Sequence, residues 1–512
     1  MYYPDFSEFK SQARKGTVVP VYREILADQE TPVSAFRKLD DKNYAFLLES
    51  VEGGEKWGRY SFVGVSPSVI FKIMGPEVLI EEKGDKSRLL HGGDPLNIFR
   101  KLMRKYHPVE VKELPRFFGG AVGFFAYEMV DFFEKLPPRK QESFCAEEAI
   151  FMITEVLLIF DNQKKTIKIV ANPLIDESNN LEAIYQDAIQ KIESLIEKLN
   201  QEKKYSLVVN PKVKISLKAN LGAKEFVEKV NRAKVYIEEG DIIQVVLSRR
   251  FTTDKVADEF DLYRALRFIN PSPYMFFLRF PNLVMVGSSP EVMVRLTEGL
   301  VELRPIAGTR KRGKTEREDC RLADELLNDP KEKAEHIMLV DLGRNDLGRI
   351  AQVGSVQVNE LMVVERYSHV MHLVSHIQAY LEKGKDAFEV IKATFPAGTL
   401  TGAPKIRAME IIRELEPMDR GPYGGAVGYI GFNGNLDLAI TIRSIFVKDD
   451  KVYLQAGAGI VADSDPEREL EEVENKVKGM VKALELAARG LELEPKTNGE
   501  KEDIIIIDKE GE

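Results

Sequence analysis

The chain has 512 residues, of which 44% are apolar and 30% charged, with a formal net charge of −9. That length allows two ordinary domains or one large one, and this balance fits a soluble globular protein with an ample core. No stretch approaches the roughly 18 apolar residues of a membrane span, and no long basic stripe suggests nucleic acid as a partner. The segment Met1–Glu8 lacks the pattern of a secretory signal. Two cysteines, Cys145 and Cys320, exclude a disulfide scaffold and a four-cysteine zinc site, so a reducing cytoplasm is expected.

In chain order, residues 45–50, 61–65 and 69–73 read as strands. The run Phe117–Tyr127 is apolar and glycine-rich, and Ile150–Phe160 with Thr166–Val170 reads as a hairpin. A helix is expected from about Glu177 to Lys203, and the polar stretch from Gln201 to Leu221 marks a boundary. The chain thus divides, as a convenience of description, into 1–200, 220–490 and a charged, loose tail at 491–512. From Ala223 a helix leads into a strand within Gly240–Phe251. Gly119-Gly-Ala-Val-Gly-Phe-Phe-Ala-Tyr echoes Gly424-Gly-Ala-Val-Gly-Tyr-Ile-Gly-Phe, two glycine-rich strands that point to close backbone approach.

Gly308-Thr-Arg-Lys-Arg-Gly-Lys-Thr315 fits the phosphate-loop spacing. Such a loop wraps backbone N–H groups around anionic oxygens and favours small residues between its glycines. Here Arg310, Lys311 and Arg312 fill that space, and Ile337–Asp341, the matching second motif, continues a helical pattern from Glu332. A nucleotide site is therefore not expected, and the cluster reads as a mobile surface loop.

Glu332 and Glu335, three apart, share one helix face. After Ser464 or Asp465 as cap and Pro466 in the first turn, Glu469, Glu472 and Lys476 share a face of a second helix. That helix follows Gln455–Ala462, a strand whose glycines admit close ligand approach. Two acidic faces over such a floor suit Mg2+; solvated helix faces have the same spacing. His369, His372 and His376 lie in a strand-like run, which separates His372 from His376 by about 13 Å on one face and turns His369 away. That suits one working histidine better than zinc. The loop Thr394–Lys405 offers backbone donors and Lys405 to a carboxylate, or simply leads into the next helix.

Five segments taken in order are similar to the chorismate-utilising enzymes: Pro305-Ile-Ala-Gly-Thr309, Glu335–Asp346, Gly398-Thr-Leu-Thr-Gly-Ala-Pro-Lys405, Tyr423–Tyr429 and Gln455–Ile460. They span roughly Ala223 to Leu486, and the first half resembles the matching region of the anthranilate synthase component I family. The resemblance implies an α+β fold: two large, mainly antiparallel β-sheets packed as a sandwich with helices outside, the N-terminal region included. It also places Gly308-Thr309 at the end of a strand motif, so the phosphate-loop match straddles two unrelated features. Ala307 and Gln244 stand where relatives that attack with an enzyme amine or activate water carry lysine. Ammonia is then the implied nucleophile, with aminodeoxychorismate synthase component I as the alternative.

The same resemblance implies roles. Glu335 and Glu472 would hold Mg2+, with Glu332 and Glu469 acting through water. Glu291 is the implied general acid, His372 assists loss of pyruvate, and Thr399 is grouped with them. Tyr423 and Arg443 would hold the enolpyruvyl carboxylate of chorismate; Gly308, Gly457 and Gly459 would shape the floor, with Thr309 and Lys476 as polar contacts. No G-x-C-x-G elbow is present, which implies a separate glutamine amidotransferase subunit as the ammonia source. Leu47–Ser50 and Asn270–Met275 resemble two halves of a tryptophan feedback site made by Glu49, Ser50, Lys56, Pro273, Tyr274 and Met275.

Overall fold

Alternation along single strands sets the layering. In the strand Ala45–Glu49, Phe46 and Leu48 face one core while Ala45 and Leu47 face another. In Tyr274–Phe280, Phe276, Leu278 and Phe280 share a core with Phe46, and Met275 and Phe277 turn the other way. A period of two with apolar residues on both faces requires cover on both sides of the sheet. The computed structural model describes all residues except 52–57, 140–143, 177–179, 204–214, 368–369, 494–504 and 508–512.

Among the described residues, the strands form one sheet of thirteen and one of twelve. Their facing sides share the first core, where Phe124 of the smaller sheet meets Phe280 of the larger at 5.6 Å between ring centroids. Helices Pro32–Leu39, Leu181–Asn200, Ala223–Glu238, Glu259–Ile269 and Pro466–Ala488 cover the outer face of the larger sheet and close the second core. The helix Pro95–Met103 packs on the smaller sheet, with Phe99 stacked on Phe71. The pairings of the described strands are antiparallel, apart from Ile505–Ile507, which lies parallel to Ser216–Ala219 within the tail expected to be loose. No helix among the described residues is long and apolar enough to cross a membrane.

Strands from both sides of the Gln201–Leu221 stretch alternate within the sheets. Ala45–Glu49 pairs with Tyr274–Phe280, and Gly120–Phe125 pairs with Ala426–Gly431. The two echoing glycine segments are thus neighbours in one sheet, with Gly123 opposite Gly428. A Cβ on Gly123 would stand 1.9 Å from the Ile150 carbonyl oxygen, so the close approach is to the adjacent strand.

Two expectations are corrected. The run Ile150–Phe160 is not one strand: Ala149–Thr154 belongs to the smaller sheet and Val156–Asp161 to the larger, the chain crossing at Glu155. Both pieces are buried, so an unbroken apolar run hides the break. Only the second piece forms the hairpin with Thr166–Ala171. The basic cluster is a surface loop only in part: Ile306–Lys311 is a strand, in which Arg310 pairs with Asp329 and Glu332, while residues 312–315 form an exposed connection in which Arg312 pairs with Asp319. The helix expected from Glu177 begins at Leu181, where Asn180 caps it.

Candidate active site

A cavity of about 570 Å³ opens between elements of both sheets. The larger sheet supplies its floor through Gln244–Asp254 and Lys451–Ile460, whose register sets Val246 beside Gly459 and Ser248 beside Gly457. A Cβ on Gly457 would lie 3.1 Å from the Tyr423 hydroxyl, and one on Gly459 only 2.5 Å from Gln244 Nε2. The glycines thus keep the floor low enough for those polar groups to reach over it. The helices Pro330–Gly348 and Pro466–Ala488 bring Glu332 and Glu335 to the cavity from one and Glu469, Glu472 and Lys476 from the other. The remaining predicted residues, His372, Glu291, Thr399, Gly308, Thr309, Tyr423 and Arg443, line it too.

Glu291 is buried in the turn between Leu283–Ser289 and Val292–Thr297. Burial pushes its carboxyl up to about 8, against the opposing pull of the Thr399 hydroxyl, which donates to Oε1 at 3.2 Å. At neutral pH it carries a proton into an enclosed site, the condition for a general acid.

His372 sits on Val370–Tyr380 opposite Thr309, where a bulge leaves Gly308 in the left-handed region at φ 63°. The Gly308 carbonyl, 2.9 Å from His372 Nδ1, can only accept, so Nδ1 bears the proton and Nε2 keeps its lone pair. Thr309 Oγ1 lies 3.0 Å from the same nitrogen. Burial, with the nearby Arg443 charge adding to it, lowers the affinity of the ring for a second proton. Neutral His372 is thereby a base. His376 pairs instead with Glu302 at 3.0 Å, outside the cavity.

Arg443 is held at φ 50°, and burial lowers its pKa. Among the described residues no side chain hydrogen-bonds or ion-pairs with its guanidinium, although the Glu472 charge and the Tyr423 phenol lie near enough to act against burial. A desolvated cation that its own protein leaves without a close partner is a receptor for an anion. Buried Tyr423 stands beside it.

Glu335 is raised by burial, with the charges of Glu332 and Glu472 adding to it, while Gln244 Nε2 donates to it at 3.1 Å. Burial also raises Glu469, again with a contribution from Glu472. No three His, Cys, Asp or Glu side chains among the described residues come together tightly enough to enclose an ion on their own. The donor set nevertheless fits Mg2+, which takes one or two carboxylates and completes its octahedron with water and substrate oxygen. Mutual repulsion in this acidic group is what such a cation relieves. Lys476 pairs with Glu472 at 2.7 Å and Arg310 with Glu332 at 3.0 Å.

Residues 43–482 match the family described as chorismate binding enzyme. The anthranilate synthase component 1 of Acetivibrio thermocellus is 46% identical over 496 residues, covering 95% of this chain and 99% of the relative. The chain belongs to the anthranilate synthase component 1 family of chorismate binding enzymes. The corresponding protein of Aquifex aeolicus is 47% identical over 489 residues, covering 95% and 98%. A crystal structure of anthranilate synthase component I from Streptococcus pneumoniae superposes with a TM-score of 0.74 at 35% identity, over 89% of this chain and 98% of that one. The menaquinone-specific isochorismate synthase of Escherichia coli, at 19% identity and a TM-score of 0.69, shares the fold over 93% and 99%. The sandwich expected from the family resemblance is the fold observed.

A second cavity, of about 430 Å³, lies between Ala45–Glu49, Tyr274–Phe280 and the strands Ala426–Gly431 and Leu436–Ile440. Glu49 and Ser50 meet Pro273, Tyr274 and Met275 there, with Met275 directly opposite Glu49. Lys56 falls outside the described residues. Asp437 anchors this cavity, taking the Tyr274 hydroxyl at 2.9 Å and pairing with Arg116 at 2.8 Å and Arg295 at 3.1 Å. Phe62, Phe276 and Tyr429 give it an aromatic wall. Neither arginine nor Asp437 was visible as a site residue in the sequence.

The main cavity also has members that sequence reasoning did not assign: Gln455 and Lys331. Period-two spacing with Gly457 and Gly459 marks Gln455, and Lys331 stands one helical turn before Glu335. Lys405, offered as a carboxylate ligand, is corrected: it pairs with Asp346 at 2.7 Å and does not line the cavity.

Proposed function

We propose that the chain converts chorismate and ammonia to anthranilate and pyruvate in the 570 Å³ cavity. The observation that carries this is Arg443, a half-buried, desolvated guanidinium without a close partner among the described residues, in one chamber with a protonated acid, Glu291, and a neutral base, His372. That set suits an anionic substrate that must lose both a hydroxyl and a carbon-bound proton. Arg443 and Tyr423 hold the enolpyruvyl carboxylate, Arg443 by a planar two-pronged contact. The floor at Gly457 and Gly459 lets the ring lie flat. Glu291 protonates the C4 hydroxyl as ammonia adds at C2, and His372 Nε2 then takes the C2 proton as pyruvate departs. Mg2+, when bound by Glu335 and Glu472, polarises the ring carboxylate and eases C4–O cleavage, with Glu332 and Glu469 acting through water.

Incubation with chorismate, Mg2+ and ammonium at about pH 8 should raise anthranilate fluorescence. No anthranilate under any of these conditions overturns the reading, and chorismate consumption without pyruvate favours the aminodeoxychorismate synthase alternative. His372→Ala should slow pyruvate release by about 10²-fold while chorismate is still consumed, so that the aminated intermediate accumulates. Equal loss of both activities would remove His372 from the elimination step.

Ammonia in the cell would come from a separate glutamine amidotransferase subunit in the cytoplasm. Tryptophan is the proposed ligand of the 430 Å³ cavity, its indole against the aromatic wall and its charged groups among Asp437, Arg116 and Arg295. Tyr274 pairs in register with Ser289, two residues before Glu291, and Ile440 N donates to the Glu291 carbonyl at 3.0 Å. Occupancy there thus bears on the acid through two adjoining strands. Tyr274→Phe, which frees Asp437 of one donor, should raise the half-inhibiting tryptophan concentration about tenfold. An unchanged inhibition curve would place the inhibitor elsewhere.

A further inference from the structure

Glu291 has two sides. Besides the main cavity, it lines a second space of about 50 Å³ that also touches Thr399 and Leu339. Its walls are mainly apolar, from Met293, Leu303, Leu342 and Ala397. Asp346, held by Lys405 at 2.7 Å, adds a buried carboxylate. Leu342, Ala397 and Gly398 are partly exposed, so the space extends toward solvent between Pro330–Gly348 and the turn at Gly398–Leu400. At the 10–15 Å³ that one water needs, it has room for about three to five waters, with Glu291, Thr399, Asp346, Thr394 and Arg304 as its polar lining.

The chemistry at Glu291 creates a need for such a space. As ammonia's lone pair forms the C2–N bond and the ring double bonds shift, the C4–O bond breaks with its electrons on oxygen. The proton from Glu291 completes a water molecule. That water is formed against a carboxylate that is now buried and charged. Among the described residues the only side chain hydrogen-bonded to that carboxylate is Thr399, and the aminated ring still fills the other side. An uncompensated buried carboxylate is costly, and a water trapped beside an activated ring competes as a nucleophile.

We propose that the space behind Glu291 is a water chamber that accepts the water formed at C4 and returns a proton to Glu291 from solvent while the main cavity is still occupied. The proposal rests on the chorismate reading of the main cavity. Thr399 sits where the two spaces meet, and its hydroxyl bridges acid and water.

The test is to fill the chamber from two walls, with Ala397→Leu and Leu342→Phe, neither of which lines the main cavity. Wild-type anthranilate formation is measured first, and its absence counts against the chorismate reading alone. With the wild type active, both variants at pH 7 should start with Glu291 protonated and aminate chorismate at the parental rate in a single turnover. Their steady-state kcat should fall about tenfold at unchanged KM, with a larger solvent deuterium isotope effect. The proposal is overturned if kcat and the isotope effect stay parental in both variants. It is equally overturned if single-turnover and steady-state rates fall together in both, since the chamber would then only shape the site. Melting curves on the same samples verify that each variant is folded.

Discussion

Arg443→Met should lower kcat/KM for chorismate by about 10³-fold, the 2–5 kcal/mol range of a buried charge pair broken from one side. Arg443→Lys should recover only part of that loss, because lysine keeps the charge and loses the planar fork that matches a carboxylate. The stability result should run the other way. The guanidinium is desolvated, and no described side chain hydrogen-bonds or ion-pairs with it. Methionine at the same left-handed backbone position, φ 50°, therefore removes a desolvated charge without adding strain. The melting temperature of Arg443→Met should equal or exceed the parental value. Steady-state kinetics and thermal unfolding on one preparation decide the matter. A kcat/KM within threefold of the parent would show that the anion is held elsewhere, and a large fall in melting temperature would show that Arg443 is structural.

How far such a site is legible before folding depends on whether its residues declare themselves locally. The acidic faces do. Glu332 with Glu335, and Glu469 with Glu472, follow from helix spacing, and capping by Asp465 with Pro466 behind it fixes where the second helix begins. The floor glycines are legible for the same reason, since period two on a strand puts Gln455, Gly457 and Gly459 on one face. Glu291, Thr399 and His372 are different. They come from three separate elements, and only the resemblance of the motifs, not any spacing, names them together. The burial that raises Glu291 is made by packing far along the chain and leaves no mark next to it. The partnership of Asp437, Arg116 and Arg295 is equally silent, with 321 positions separating Arg116 from Asp437. Continuous apolar runs mislead in the opposite way: Ile150–Phe160 is apolar throughout because both its halves are buried, and nothing in that pattern marks the change of sheet at Glu155.

Glu291→Gln should separate catalysis from stability most sharply. As an acid, Glu291 contributes a proton to the leaving oxygen, and glutamine should cost about 10³-fold in kcat. Parental kcat, measured with free ammonia held constant, should decline as pH rises through about 8, where the folded carboxyl loses its proton. The small residual activity of the variant should lack that decline. The same titration bears on folding. The folded carboxyl is raised to about 8 from 4.5, mainly by burial. Between those values the folded state holds a proton that the unfolded chain has released, so the parent loses stability as pH rises through the window and levels off above it. The full loss is on the order of 5 kcal/mol at 1.36 kcal/mol per pH unit. Glutamine has no such proton to lose. The difference in unfolding free energy, variant minus parent, should therefore be small near pH 5, grow toward about pH 8 and level off above it in urea titrations. Parallel stability profiles would mean that Glu291 is ionised in the folded enzyme at neutral pH, and an ionised carboxylate has no proton to give the C4 oxygen. A widening gap in favour of a nearly inactive variant would mean that the fold keeps this buried acid at a cost in stability, and that catalysis is the reason.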